Sequence, residues 1–242
     1  MPKNYKIYSV RDKGEKKVIK KDKIFDVPFR LLLVGKSQSG KGVVATNMIL
    51  LDDYYAKDFA GENIFIFSKS LNYDYKTKLL IKQKTIPSEN LFLGLDDESL
   101  KAVIDFIQEE YEEAEIEGKK PVQSLIILDD VLEDLKEKDR NSSVNDLFSR
   151  GRHLNISTMV FLQYYSKLPS VSRTNANGLV IFEMPKRQMD VIADEHNYLE
   201  NPKDFYKLYQ NATKDKHSFM VINYTNDRDN RYLNKNFEPI EL

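Results

Sequence analysis

The residues best placed to do chemistry stand together early in the chain, in the run Gly35-Lys36-Ser37-Gln38-Ser39-Gly40-Lys41-Gly42. Two glycines separated by four residues and followed by lysine form a phosphate-binding signature. Gly35 and Gly40 permit backbone conformations that a side chain resists, so the loop amides can point inward at phosphate oxygens. Lys41 adds a full positive charge for the β and γ phosphates of a nucleoside triphosphate such as ATP. The apolar run 31–34 before the loop reads as a strand, and Val43, Val44, Met48 and Leu51 after it keep a helical period. Strand, loop and helix in that order give the motif its mechanism, because the helix N-terminus contributes further amides and the positive end of its dipole. One position departs from the signature. The usual Ser or Thr after the lysine, whose hydroxyl ligates Mg²⁺, is Gly42. The amides and Lys41 still suffice for phosphate; a metal ligand must come from elsewhere, with a water or Ser39 as the replacements to consider.

A second motif lies downstream. Ser124-Leu125-Ile126-Ile127-Leu128-Asp129-Asp130 is an apolar strand ending in two carboxylates, the Walker B form. Paired carboxylates at a buried strand tip are costly unless a metal offsets their charge. Asp129 is therefore expected to hold Mg²⁺, and Asp130 to polarise the attacking water as general base. The alternative is a cap for the next helix. Another apolar run, 158–162, ends at Gln163. In a parallel sheet all strand C-termini open onto one crevice, so Gln163 is either a sensor of the γ-phosphate and water or an ordinary polar strand end. Arg150, Arg152 and Arg173 are candidates for an arginine finger acting in cis or from a neighbouring subunit. Ion pairing with the many carboxylates competes with that role, and spacing does not choose among them.

These groups need a frame. Apolar runs at 31–34, 64–67, 91–93, 125–128, 158–162, 179–182 and 219–223 read as strands. Continuous runs such as Leu-Ile-Ile-Leu suit strands buried on both faces of a parallel sheet. Leu100, Val103, Ile104, Ile107 and Tyr111 fall on one helical stripe, with Gly118 as its stop signal. Alternating strands and helices predict a three-layer α/β fold with a mainly parallel central sheet. With no Pro/Gly linker after Phe25, residues 25–242 are expected to form one domain behind a lysine-rich arm or hairpin at 1–24.

Composition narrows the chemistry. Lys+Arg number 37 against Asp+Glu 38, a net charge of -1, which argues against a surface that coats nucleic acid by charge alone. Absence of cysteine excludes disulfides, thiolate catalysis and thiolate zinc. His153, His196 and His217 lack metal-ligand spacing and read as surface or core histidines. No apolar run approaches the length of a membrane span, and the N-terminus does not read as a signal peptide.

Residues 29–41, 125–132 and especially Leu147-Phe148-Ser149-Arg150-Gly151-Arg152-His153-Leu154-Asn155-Ile156-Ser157 carry a family resemblance, and its most specific part is the string 150–157. They resemble the DNA-packaging ATPases of large double-stranded DNA viruses and virophages, within the FtsK/HerA superfamily. The likeness continues through Phe161-Leu162-Gln163-Tyr164-Tyr165-Ser166-Lys167-Leu168-Pro169, Arg173-x-Asn175-Ala176, Glu195-His196 and Asn236-Phe237. It departs at Gly42, and at Gln163-Tyr164, where a Thr-Gln type sequence is more usual. The resemblance implies a RecA-like (ASCE) P-loop fold. It also implies a homo-oligomeric ring that hydrolyses ATP with Mg²⁺ to drive double-stranded DNA into a preformed capsid, in the virion or a cytoplasmic viral factory. In that scheme Lys41 binds phosphate, Asp129 magnesium, Asp130 activates water, Gln163 is the sensor, and Arg150 or Arg152 acts on a neighbour's nucleotide. Lys136, Lys138 and Arg140, in the charged stretch after the acidic strand, and Lys167 are candidates for sequence-independent contacts to DNA phosphate. A plain solvated loop is the alternative for the former. The competing functional reading is a nucleotide-binding structural component, an assembly switch with weak or no hydrolysis. A P-loop enzyme acting on a small molecule finds no support in the 150–157 string.

Overall fold

The computed structural model describes residues 24–132 and 143–241. The expected N-terminal arm, save Ile24, and the stretch carrying Lys136, Lys138 and Arg140 lie outside the described residues. The strands are β1 (Arg30–Val34), β2 (Ile64–Ser68), β3 (Leu91–Phe92), β4 (Ser124–Asp129), β5 (Ile156–Leu162), β6 (Gly178–Phe182), β7 (Phe219–Asn223) and β8 (Tyr232–Leu233). They form one sheet in the order β3-β2-β4-β5-β1-β6-β7-β8. Neighbours from β3 to β6 pair in parallel, whereas β7 is antiparallel to both β6 and β8. All seven expected strands are present. The third stops at Phe92 instead of residue 93, and Leu93 is exposed. The eighth, only two residues long, has no alternation for a sequence to display.

The helices are α1 (Lys41–Leu50), α2 (Tyr75–Lys84), α3 (Asp97–Ile116), α4 (Ser143–Arg150), α5 (Ser170–Asn175), α6 (Lys186–His196) and α7 (Pro202–Thr213). Strand residues alternate between two apolar layers, as the two-residue period requires. Leu32, Val34, Ile126 and Leu128 pack with α3, α4, α6 and α7. Leu31, Leu33, Leu125 and Ile127 pack with α1 and α2. This is the predicted three-layer arrangement, and it explains why the central strands read as unbroken apolar runs. Helix α3 starts at the Asp96 cap, whose carboxylate accepts from Ser99 N at 2.7 Å. It ends where expected. Gly118 takes φ 69, Lys119 N donates to Ala114 O at 2.8 Å and Gly118 N to Glu115 O at 3.1 Å, the paired bonds of a Schellman stop.

A polar knot ties the end of β5 to α5, α6 and the end of β7. Arg173 grips Glu195 with Nη2 to Oε1 at 2.6 Å and Nε to Oε2 at 3.0 Å, and Nη1 donates to Leu168 O at 2.7 Å. Tyr165 donates to Glu195 Oε2 at 2.7 Å, so its oxygen accepts from His196 Nε2. His196 Nδ1 is then free to accept from the Tyr224 hydroxyl. Every member is satisfied only if the imidazole is neutral. Burial accordingly pushes His196 down to about 4, partly opposed by the Glu195 charge. An unfolded histidine titrates at about 6.5, so the neutral ring contributes stability that is fully present above that value and lost as pH falls toward 4. The melting temperature should drop across this window, and His196→Gln should flatten the drop. An equally steep fall in the variant would remove His196 as its cause.

Candidate functional site

Because β1, β2, β4, β5 and β6 are parallel, their C-terminal ends share one edge, and the sequence motifs converge there. The loop 35–42 is anchored to that edge by Gly35 N, which donates to Leu162 O at the tip of β5 at 3.0 Å. A Cβ on Gly35 would lie 2.7 Å from Phe182 Cβ and 2.8 Å from Ser39 Oγ, so only glycine fits. Gln38 (φ 61) and Gly40 (φ 119) both adopt left-handed backbone, and this curls the loop back on itself. Val43 N and Val44 N then donate to Gly40 O at 3.0 and 3.1 Å, starting α1. Lys41 is buried; its Nζ donates to Gly35 O at 2.6 Å and Lys36 O at 3.2 Å. Burial pushes the Lys41 ammonium down, and the charges of Asp130 and Asp129 work in the other direction. Ser39 is also buried, its hydroxyl against Gly35 and without a hydrogen-bond partner among the described residues.

The acidic pair ends β4. Asp129 Oδ2 accepts from Ser68 Oγ at 2.8 Å and Ser70 Oγ at 3.3 Å. The first contact follows from register, since Ser68 pairs with Asp129 across β2 and β4. Burial drives the Asp129 carboxyl up, against the two serine hydrogen bonds, and neighbouring Asp130 raises it further. Asp130 leaves the strand with φ 51 and accepts from Gln163 Nε2 at 3.0 Å. Gln163 is therefore placed beside the expected general base. A left-handed non-glycine residue is strained, and Gln38 and Asp130 put two such residues in one site.

Loop, acids and glutamine line a cavity of about 810 Å³ in which Lys41, Lys69 and Lys76 stand among Asp74, Asp129 and Asp130. Ser70, Asp74, Lys76 and His217 line it without a sequence motif to mark them. Ser68 closes β2 against Asp129, Ser70 follows it, and Asp74 and Lys76 open α2. His217 joins because β7 runs antiparallel, so its beginning meets the edge. Its Nδ1 lies 3.1 Å from Ser39 O, and since a carbonyl only accepts, that nitrogen carries the proton. Among the described residues no cluster of three or more acidic or histidine side chains forms a metal site. Magnesium does not require one: it takes one or two carboxylates and completes its shell with phosphate oxygens and water. The hard oxygen donors around Asp129 fit that pattern.

The arginines are elsewhere. Arg150 and Arg152 precede β5, at the N-terminal edge of the sheet, while Gln163 follows it. Seven strand residues separate these edges by about 20 Å, so neither arginine reaches the cavity of its own chain, which removes the cis alternative. Both are exposed, and among the described residues neither pairs with a carboxylate. Arg173 is consumed by the Glu195 knot and is withdrawn as a finger. Lys167 lies on the cavity edge, where it lines a smaller recess of about 120 Å³ with Asp130 and Gln163.

Strand β5, which Gln163 follows, stands between the loop strand and the acidic strand. This additional strand and the crevice it completes define a RecA-like (ASCE) P-loop NTPase fold. The genome packaging NTPase of Sulfolobus turreted icosahedral virus 2 bound to AMPPCP shares it, at TM-score 0.54 and 12% identity over 81% of this chain and 93% of that one. The DNA-packaging ATPase of Sulfolobus turreted icosahedral virus superposes at TM-score 0.52 and 14% identity, over 82% and 94%. The chain belongs to the poxvirus A32 protein family, whose model matches residues 16–231. DNA packaging protein OPG160 of vaccinia virus (strain Copenhagen) is 25% identical over 187 residues, 77% of this chain and 63% of the relative. The variola virus protein of the same name matches with the same figures. This chain thus spans less than two thirds of the length of these relatives.

Since the charged form of Asp129 is disfavoured by burial, Asp129→Asn should raise the ligand-free melting temperature at pH 7. Thermal denaturation measures it; a lower melting temperature would show that the carboxylate is structural.

Proposed function

We propose that this chain is an ATP-hydrolysing motor that translocates viral double-stranded DNA into a preformed capsid. One observation carries the reading: a single crevice gathers the loop of Lys41, the Asp129 carboxylate and the Asp130–Gln163 pair. Family membership and relatives named DNA packaging proteins supply the direction. Loop amides and Lys41 would hold the β and γ phosphates. Asp130, oriented by Gln163, would align a water with the γ-phosphate and take its proton. Asp129, beside Asp130, would hold Mg²⁺, which would supply positive charge against the phosphates. Arg150 or Arg152, solvent-facing and remote from its own cavity, is suited to a neighbour's nucleotide, and this favours a homo-oligomeric ring. Lys167 at the cavity edge, together with Lys136, Lys138 and Arg140, would meet DNA phosphates, with the virion or viral factory as the place of action. No helix among the described residues is long and apolar enough to cross a membrane.

Gly42 favours a second reading, an assembly switch that binds ATP without turnover. DNA-stimulated ATP hydrolysis that falls to background in Lys41→Ala supports the motor. Tight ATP binding with no turnover under assembling conditions would sink it and leave the switch. The trans finger has its own test. Arg150→Ala/Arg152→Ala should bind ATP normally yet fail to hydrolyse it, and mixing it with Lys41→Ala subunits should restore part of the activity. Mixtures as inactive as their components would argue against a finger in trans.

A further inference from the structure

The substitution of glycine for the P-loop hydroxyl has a counterpart in space. A Cβ built on Gly42 would lie 2.9 Å from Lys76 Cε and 3.5 Å from Lys76 Cδ. The tip of Lys76, from the first turn of α2, therefore occupies the volume in which a serine or threonine at position 42 would place its side chain. Lys76 Nζ is held 2.8 Å from Asp74 Oδ1. Asp74 is itself fixed, since its other oxygen accepts from Thr77 N and Thr77 Oγ1, both at 2.9 Å. Gly42, Lys76, Asp74 and Thr77 all face the same cavity as Lys41 and Asp129. The Lys76 side chain remains 41% exposed, so it is available to a ligand as no core lysine would be.

We propose that Lys76 is a second phosphate-binding lysine, admitted to the β- and γ-phosphate subsite by Gly42. This rests on the nucleotide-binding reading above and adds to it. A hydroxyl at position 42 offers the triphosphate only a neutral ligand for its metal, whereas an ammonium there offers charge and donors directly to phosphate oxygen. The ligand class is a nucleoside triphosphate in preference to a diphosphate, held with a reduced dependence on divalent metal. Gly42→Ser meets only the flexible end of Lys76, so it should displace the lysine without harming the fold.

The test is equilibrium binding of a fluorescent non-hydrolysable ATP analogue, in excess Mg²⁺ and in EDTA, to variants whose melting temperatures match wild type. Wild type should keep binding in EDTA. Lys76→Met should weaken that metal-free binding about tenfold or more, as expected for loss of a charged hydrogen bond, and Lys76→Arg should retain most of it. Gly42→Ser should lose metal-free binding to a similar degree, and Gly42→Ser/Lys76→Met should be no weaker than the weaker single variant. Asp74→Asn/Lys76→Met should stay weak. Wild-type affinity in Lys76→Met would overturn the assignment, and so would recovery in Asp74→Asn/Lys76→Met, which would reduce Lys76 to a neutraliser of Asp74. If wild type binds no triphosphate in either buffer, the nucleotide reading falls as well. If Lys41→Ala abolishes binding while Lys76→Met changes nothing, only the Lys76 assignment falls.

Discussion

The site depends on a charge held where water is scarce. Lys41 is buried at the start of α1, and its ammonium is tied to the carbonyls of Gly35 and Lys36. A buried cation costs several kcal/mol unless neighbours compensate it. Here the loop's own carbonyls accept from it, and the charges of Asp130 and Asp129 offset part of the burial penalty. The same three charges line one cavity, and neighbours fix each of them in place. Ser68 and Ser70 hold Asp129, Gln163 holds Asp130, and the curled loop holds Lys41. Such preorganised charge is what phosphoryl transfer chiefly asks of a protein.

Topology does the rest. A parallel sheet brings the ends of β1, β2, β4 and β5 to one edge without any contact between their sequences. It also sends the starts of those strands to the other edge, which is why Arg150 and Arg152 cannot serve their own cavity. The separation of the arginines from the acids is thus a consequence of strand direction. Antiparallel β7 is the exception that places His217 against the loop.

Much of this was legible beforehand, for definable reasons. The seven strands announced themselves because sheet burial on both faces produces continuous apolar runs, and α3 because its stripe and Gly118 are periodic and local signals. The loop, Asp129, Asp130 and Gln163 were legible because each sits at a strand tip. The serines on Asp129, the Asp74–Lys76 pair and His217 were not, since their roles arise from register, from a helix start and from strand direction. Arg173 misled because an arginine near a site looks alike whether it is free or clamped by a glutamate 22 residues away. Gly42 looked like a loss in the sequence; in space it leaves room for Lys76.

Crystals grown with a non-hydrolysable ATP analogue give the most direct measurement of the central claim. The β-phosphate should lie within hydrogen-bond distance of the amides of the 35–42 loop, with Lys41 Nζ transferred from the Gly35 and Lys36 carbonyls to phosphate oxygen. A triphosphate bound away from this loop, or a Lys41 still tied to those carbonyls beneath a bound nucleotide, would contradict it.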